Sequence, residues 1–142
     1  TIIWAKDALV ISRKDYHTKY EPIWYGWLEG ESRLCPLEDR KQSDVWDIDR
    51  PSKSELHPTT KPIELVERAI KNSSKKDNYV LDLFGGSGST LIASEKSNRI
   101  NRSMELDPKY VDVIIKRWQD YTGKKAIHAE TGNKFGGSIE GQ

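Results

Sequence analysis

The stretch Leu81–Thr90, LDLFGGSGST, sets a carboxylate, Asp82, ahead of Gly85, Gly86 and Gly88 and follows them with Ser89 and Thr90 at the head of the helix-like run LIASEK. Glycines between a strand and a helix let backbone amides come close to a ligand. Two phosphate-binding patterns use that device, and both fail here. The loop G-x-x-x-x-G-K-[ST] needs a Lys beside Gly88 and Thr90, and none is present. The fingerprint G-x-G-x-x-G matches at Gly86 and Gly88 only, because Leu91 stands where its third glycine belongs.

A second carboxylate, Glu105, closes the next strand-like segment about 20 residues on, the spacing at which an acid suits ribose hydroxyls. Two acids around a bare turn suit a nucleoside with a cationic or zwitterionic attachment better than a pyrophosphate. S-adenosylmethionine is such a molecule. The plainer reading is that the glycines only make a tight strand-to-helix turn and that Glu105 is a solvated strand end.

The elements that must position these residues follow from periodicity. Residues 1–28 alternate TIIWA, ALVIS and EPIWYGWL with the polar break RKDYHTKY, which predicts a strand followed by a hairpin. Residues 29–56 lose periodicity in a charged, Ser- and Pro-containing excursion of the kind that is functional or disordered. In HPTTKPIELVERAIKNSS, Thr residues precede Pro62, and Ile63, Val66 and Ile70 share a face, predicting an amphipathic helix of about three turns. KKDNYVLDLF predicts a turn and a buried strand, STLIASEKSN a helix, and INRSMELD a short strand. PKYVDVIIKRWQDYTG predicts a helix opened by Asp107 and Pro108 and stopped at Gly123. KKAIHAETG is a candidate last strand, and residues 134–142 read as a flexible tail. Strand, helix, strand, helix is a βαβ unit, so the expected fold is α/β with a parallel-rich sheet flanked by helices.

The chain has 142 residues, 35% of them hydrophobic and 32% charged, enough for one domain of ordinary size. Its 23 Lys and Arg against 22 Asp and Glu leave a net charge of +1, so nucleic-acid binding would need a local patch. The single Cys35 excludes an intrachain disulfide framework, and no spacing suits a structural zinc site. No apolar run reaches the roughly 20 residues of a membrane-spanning helix, and no signal-peptide pattern opens the chain. The chain reads as soluble, and its lone cysteine is compatible with a reducing cytosol without demonstrating one. The opening TIIWAK carries no Met and has a strand under way, which reads as part of a longer polypeptide.

In order, HPTTKP, VLDLFGGSGST and MELDPKYVDVIIKRW resemble the DNA amino-methyltransferases that modify adenine N6 or cytosine N4. The order is similar to the permuted subgroup, with catalytic motif first, target-recognition region second and cofactor motifs last. The likeness covers roughly residues 2–135, and DYHTKYEPIWYGW and DRKQSDVW resemble segments of phage and prophage members. It implies a Rossmann-like fold, S-adenosylmethionine as cofactor, double-stranded DNA with a flipped base as partner, and a bacterial or phage-encoded cytoplasmic enzyme. It also implies that Asp82, Phe84, Gly85, Gly86, Ser87 and Gly88 form the cofactor loop, with Ser89 and Thr90 opening a helix whose amides meet the cofactor's carboxylate. Glu105 matches the acid that takes the ribose hydroxyls. His57, Pro58, Thr59, Thr60, Lys61 and Pro62 match the motif before the loop, with Lys61 the preferred partner for that carboxylate.

Departures from the family pattern are specific. Leu83 replaces a common Pro, and Tyr20-Glu21-Pro22 stands where His-Glu-Pro often appears. No Asp/Asn/Ser-Pro-Pro-aromatic stretch occurs, so no catalytic residue is assigned, and in the permuted order that stretch is expected upstream of Thr1. A truncated, non-catalytic module is therefore the first rival reading, and a related fold acting on RNA or a small molecule is the second.

Within residues 29–56, Arg33, Arg40, Lys41, Arg50 and Lys53 are candidate phosphate contacts and Gln42 and Ser43 candidate base contacts. Interleaved acids equally fit a solvated loop. Trp4, Trp24 and Trp27 are expected in core or hairpin packing, and Trp118 in the core. His17 and His128 suit surface or capping roles, and Lys71, Lys75 and Lys76 solvated turns. An unpaired sheet edge is expected to favour self-association.

Overall fold

The computed structural model describes residues 1–37, 39–51 and 60–136. Strand β1 (Ile2–Val10) pairs antiparallel with β2 (Thr18–Ile23), Ile2 facing Ile23 and Ala5 facing Tyr20, with the register breaking between Ala5 and Val10. The segments TIIWA and ALV are thus one bent strand, and the expected strand plus hairpin is a single hairpin. Strand β3 (Val45–Asp47) lies parallel to β1 on its other side, inside the stretch expected to be irregular. Three residues are too few to show a period, and β3 forms because Trp46 has a core to enter.

That core is Trp4, Trp46, Ile48 and Leu65, with Ile2, Ile23 and Ala69 packed against it. Trp4 donates its indole N–H to the Ile48 carbonyl at 2.6 Å, so the buried ring leaves no polar atom unpaired. Trp24 and Trp27 do not join it. Trp24 is 93% exposed, and Trp27 meets Tyr25 edge-on at 5.9 Å with the Arg33 guanidinium 5.6 Å from its ring. Both lie past the end of β2, where the apolar pattern outruns the sheet.

Helix α1 (Ile63–Ser73) has the expected length, but its start differs. Pro62 occupies the N-cap position and no side chain caps the helix. Its buried residues are Leu65, Glu67 and Ile70 rather than the Ile63, Val66 and Ile70 stripe. The helix lies between the first sheet and α2 (Ser89–Lys96), so burial spreads beyond one stripe. Buried Glu67 is matched by Lys71 from its own helix and by Lys96 of α2 at 2.8 Å. Lys71 is therefore a paired helix residue, whereas Lys75 and Lys76 are exposed in the following turn.

Strands β4 (Tyr79–Asp82) and β5 (Ile100–Ser103) pair in parallel around α2, and α3 (Pro108–Thr122) follows. Asp107 caps α3 by accepting from the Lys109 amide at 2.9 Å, Pro108 opens it, and Gly123 ends it at φ +71°. Among the described residues this pair forms its own two-stranded sheet, with no hydrogen bonds to the first. The expected continuous parallel sheet is thus two sheets bridged by α1. β4 is also not the buried strand expected, since Tyr79 and Leu81 are exposed, Leu81 by 68%. Only one face of the pair is covered, and its apolar pattern reflects two faces that could both be covered. Trp118 is half-buried. The candidate last strand reduces to one bridge, Ile127 to Lys134, and Phe135 donates its amide to the Ala126 carbonyl at 2.9 Å, so the tail is held to residue 135 at least. No helix among the described residues is long and apolar enough to cross a membrane.

The Lys71 hydrogen bond, reinforced by Lys96, holds the Glu67 carboxyl below its ordinary value of 4.5. A depressed folded-state value stabilises the fold above about pH 4.5, and that stability is lost as pH falls through the lower folded value. Thermal melts are expected to show a midpoint that drops below that pH, and Glu67→Gln to flatten the drop. A drop unchanged in the variant would remove Glu67 as its source.

Candidate functional site

The turn after β4 is fixed by its own backbone. Asp82 Oδ1 accepts from the Phe84 amide at 3.0 Å, while the Asp82 carbonyl accepts from the Met104 amide and the Met104 carbonyl from the Gly85 amide, both at 2.8 Å. The β4–β5 ladder therefore continues into the turn. A Cβ on Gly85 would lie 3.0 Å from Ile114 Cδ1 and 3.2 Å from the Met104 carbonyl oxygen, so α3 and β5 together demand glycine there. Gly88 caps α2 at φ +79°, where an L side chain is strained, and its Cβ would also press on Ile114. The tight-turn requirement is real, and it also leaves the turn's outer surface bare.

Glu105 reaches back across this surface. Its Oε2 accepts from the Gly86 amide at 2.7 Å and its Oε1 from the Asp107 amide at 3.0 Å. Both oxygens of this carboxylate are thus anchored to backbone amides, which fixes its orientation over the turn. Between Glu105 and the turn lies an open cleft of about 430 Å³ lined by Lys61, Val66, Asp82, Phe84, Gly85, Gly86, Ser87, Ser89, Thr90 and Glu105. Nine of these ten residues are ones the sequence singles out, and Val66 is the addition. Gly88 lies beneath as the helix cap. The N-terminus of α2 has no side-chain cap, so its first-turn amides at Ser89 and Thr90 are open to an anion.

The charge around the cleft is organised by two basic residues. Lys61 is 2.9 Å from Glu21 Oε2, and Glu21 Oε1 also holds buried Lys6 at 2.6 Å, so two ammonium groups share one acid and Lys61 alone of the two reaches the cleft that Asp82 and Glu105 also line. Burial pushes the Glu21 carboxyl up, but the hydrogen bonds from Lys6 and Lys61 outweigh it and hold it below its ordinary value. The Lys61 carbonyl accepts from the Ser89 hydroxyl at 2.8 Å, tying the start of α1 to the start of α2. The second base, Arg117 of α3, was not singled out by the sequence. It donates to the Ser87 carbonyl at 2.9 Å from beneath the loop, and burial pushes its guanidinium down from its ordinary value. Its only signal in the sequence is a cation beside Trp118 on a face otherwise aimed at the core. Phe84, which lines the cleft, is 87% exposed, and Met104 and Leu106 on either side of Glu105 in sequence are exposed as well.

The remaining candidate residues are elsewhere. His57 and Thr59, with Lys53, lie outside the described residues, and Thr60 is half-buried next to Lys61. Gln42 accepts from Asn72 at 3.0 Å and from Arg68 at 3.3 Å. Ser43 accepts from the Val45 amide through its hydroxyl at 3.0 Å and from the Trp46 indole through its carbonyl. Gln42 therefore joins the C-terminal half of α1 and Ser43 joins β3; α1 is an 11-residue helix about 16 Å long, and the cleft is at its N-terminal end. Arg33 sits over Trp27, Arg40 and Lys41 are exposed in the same loop, and Arg50 pairs with Asp7 at 3.4 Å. His17 and His128 accept backbone amides of Ser12 and Thr131, which is turn capping. No cluster of His, Cys, Asp and Glu that could hold a metal ion occurs among the described residues.

The family model of the N6/N4-type DNA methylases matches residues 1–117. The Type II methyltransferase M.Cfr9I of Citrobacter freundii is 32% identical over 102 residues, covering 72% of this chain and 34% of its own length. The Type II methyltransferase M.XycI of Xanthomonas campestris pv. cyanopsidis is 32% identical over 129 residues, covering 83% of this chain and 43% of its own length. The crystal structure of the M1.HpyAVI–SAM complex superposes with a TM-score of 0.57 at 26% identity, over 82% of this chain and 59% of that one. The chain spans less than half the length of these two curated relatives. Its α/β architecture is that of a partial Rossmann-like methyltransferase. With the family match covering most of its length, the chain belongs to the N6/N4-type DNA methylases.

Proposed function

We propose that this chain is the cofactor-binding part of a permuted, bacterial or phage-encoded cytoplasmic DNA amino-methyltransferase, which moves a methyl group from S-adenosylmethionine to adenine N6 or cytosine N4. The observation that carries the reading is the Glu105 carboxylate lying 2.7 Å from the Gly86 amide over an open cleft. In this reading the Glu105 carboxylate, held over the cleft by the Gly86 and Asp107 amides, takes the ribose hydroxyls. The α2 amides and Lys61 take the methionine carboxylate, Lys61 using donors left over from Glu21. The Phe84 ring covers the adenine.

S-adenosylmethionine supplies the electrophilic methyl on its sulfonium. The residues of this chain hold that donor in place, which is an orientation role. The target base leaves the duplex to reach it, at a cost of a few kcal/mol. The group that grips the base amine is proposed to lie on polypeptide outside this chain, since no Pro-Pro-aromatic stretch occurs here.

That same absence, with the uncovered Tyr79 and Leu81 face, favours a second reading as a non-catalytic module that packs against another chain. Methyl transfer to DNA by the chain alone would exclude it.

Calorimetric titration with S-adenosylmethionine and with S-adenosylhomocysteine tests the site. Glu105→Gln is expected to weaken both by roughly tenfold, the size of one lost charge-assisted hydrogen bond at about 1.4 kcal/mol. Equal affinity in the variant, with an unchanged melting curve, would count decisively against the ribose assignment. Sedimentation tests the exposed sheet: the chain is expected to self-associate as its concentration rises, and Leu81→Lys to return it to monomer. A monomer at every concentration would contradict that.

A further inference from the structure

The two ends of α1 present different surfaces, and only one is on the side of the cleft. β1 and β3 run parallel, so the loop carrying Arg33, Arg40 and Lys41 feeds in at their starting ends. Lys61, at the cleft, is held through Glu21 next to Lys6, midway along β1. From Lys6 the strand continues four residues to Val10, about 13 Å at 3.3 Å per residue, and then turns through residues 11–17 into β2. The hairpin tip therefore lies past the Lys61 end of the cleft along β1, at the opposite end of the strand from the loop at residues 24–44.

Its composition fits a phosphate-rich partner. Residues 11–19 carry Arg13, Lys14 and Lys19 against one acid, Asp15, and among the described residues no ion pair is recorded for these three cations. Ile11 is exposed and Tyr16 is 90% exposed, although the tip is ordered internally by the Ser12 amide on His17 Nδ1. In the loop at the far end of α1, by contrast, Glu29, Glu31, Asp39, Asp44, Asp47 and Asp49 outnumber the bases, and Arg50 is already paired with Asp7.

We propose that the β1–β2 hairpin tip, and not the loop at residues 29–51, is the face that holds the DNA backbone beside the cleft, with Arg13, Lys14 and Lys19 on phosphates and Tyr16 against the groove or an unstacked base. This rests on the reading of the chain as part of a DNA methyltransferase. Phosphate contacts of this kind position a duplex without reading its sequence.

Fluorescence anisotropy of a labelled DNA duplex with the chain and S-adenosylhomocysteine, at 50 to 200 mM salt, tests the assignment. The triple variant Arg13→Ala/Lys14→Ala/Lys19→Ala is expected to bind at least tenfold more weakly, with its salt slope shallower by about 2 to 3, while cofactor affinity stays unchanged. Arg33→Ala/Arg40→Ala/Lys41→Ala is expected to stay within twofold of the unsubstituted chain. Unchanged binding and slope in the tip variant, or a loss confined to the loop variant, would overturn the tip assignment and leave the methyltransferase reading standing. A chain that binds cofactor but no duplex would overturn the DNA reading and the tip assignment together.

Discussion

The contact on which the rest of the site depends is the Glu105 carboxylate bonded to the Gly86 amide. It joins three elements that are distant in sequence. β5 ends at the acid, β4 ends at the turn, and α3 begins under the second carboxylate oxygen through the Asp107 amide. Parallel pairing makes the contact available: Asp82 faces Ser103, and two further bonds through Met104 bring the turn and the acid level. The absence of a Cβ at Gly85 then lets Ile114 close from below. Glycine is needed here for packing and conformation together, so the plain and the functional readings of the turn describe one geometry.

The second constraint is that among the described residues the sheets share no hydrogen bonds, so α1 has to carry their relation. Leu65 and Ala69 face the tryptophan core, while Glu67 reaches Lys96 on α2 and Lys61 reaches Glu21 on β2. Apolar packing sets the distance between α1 and the first sheet, and ion pairs at its two sides set the alignment. The Lys61 link is partly exposed, and exposed pairs contribute little stability, about 1 kcal/mol or less. Its importance is positional: the cation that fixes α1 against β2 is the one at the cleft rim.

What was legible in the sequence was what local chemistry specifies. The cap and stop of α3 follow from Asp107, Pro108 and Gly123, each of which acts within one helical turn. The turn residues and Glu105 were legible because glycine freedom and a strand-end acid have meaning at fixed spacing. Features set by long-range contact were not. β3 is three residues amid charges, and only Trp46 entering a core made elsewhere turns it into a strand. Trp24 looks like Trp4 in sequence but falls past the last sheet partner. Gln42 and Ser43 looked free for base contact, and α1 and β3 use their polar atoms. Arg117 was hidden because nothing local shows that a carbonyl of the glycine turn lies 30 residues away in sequence and next to it in space.

These contacts also separate the chain into a part that builds the turn and a part that aims something at it. The bonds Phe84 to Asp82, Gly85 to Met104, Gly86 to Glu105, Ser89 to Lys61 and Arg117 to Ser87 shape the turn, and these lie within residues 61–117. The first sheet meets the cleft at Lys61, through the Glu21 carboxylate and the Trp4 ring 5.7 Å from the Lys61 ammonium, and these contacts leave the backbone of the turn alone. The uncovered face of β4 and β5 lies outside this bond set as well, since Tyr79 and Leu81 point away from the residues that close the turn. A cleft organised from within can keep its shape whether or not that face is covered. Covering the face would then govern association, while the shape of the cleft remains a property of the helix-and-turn unit itself.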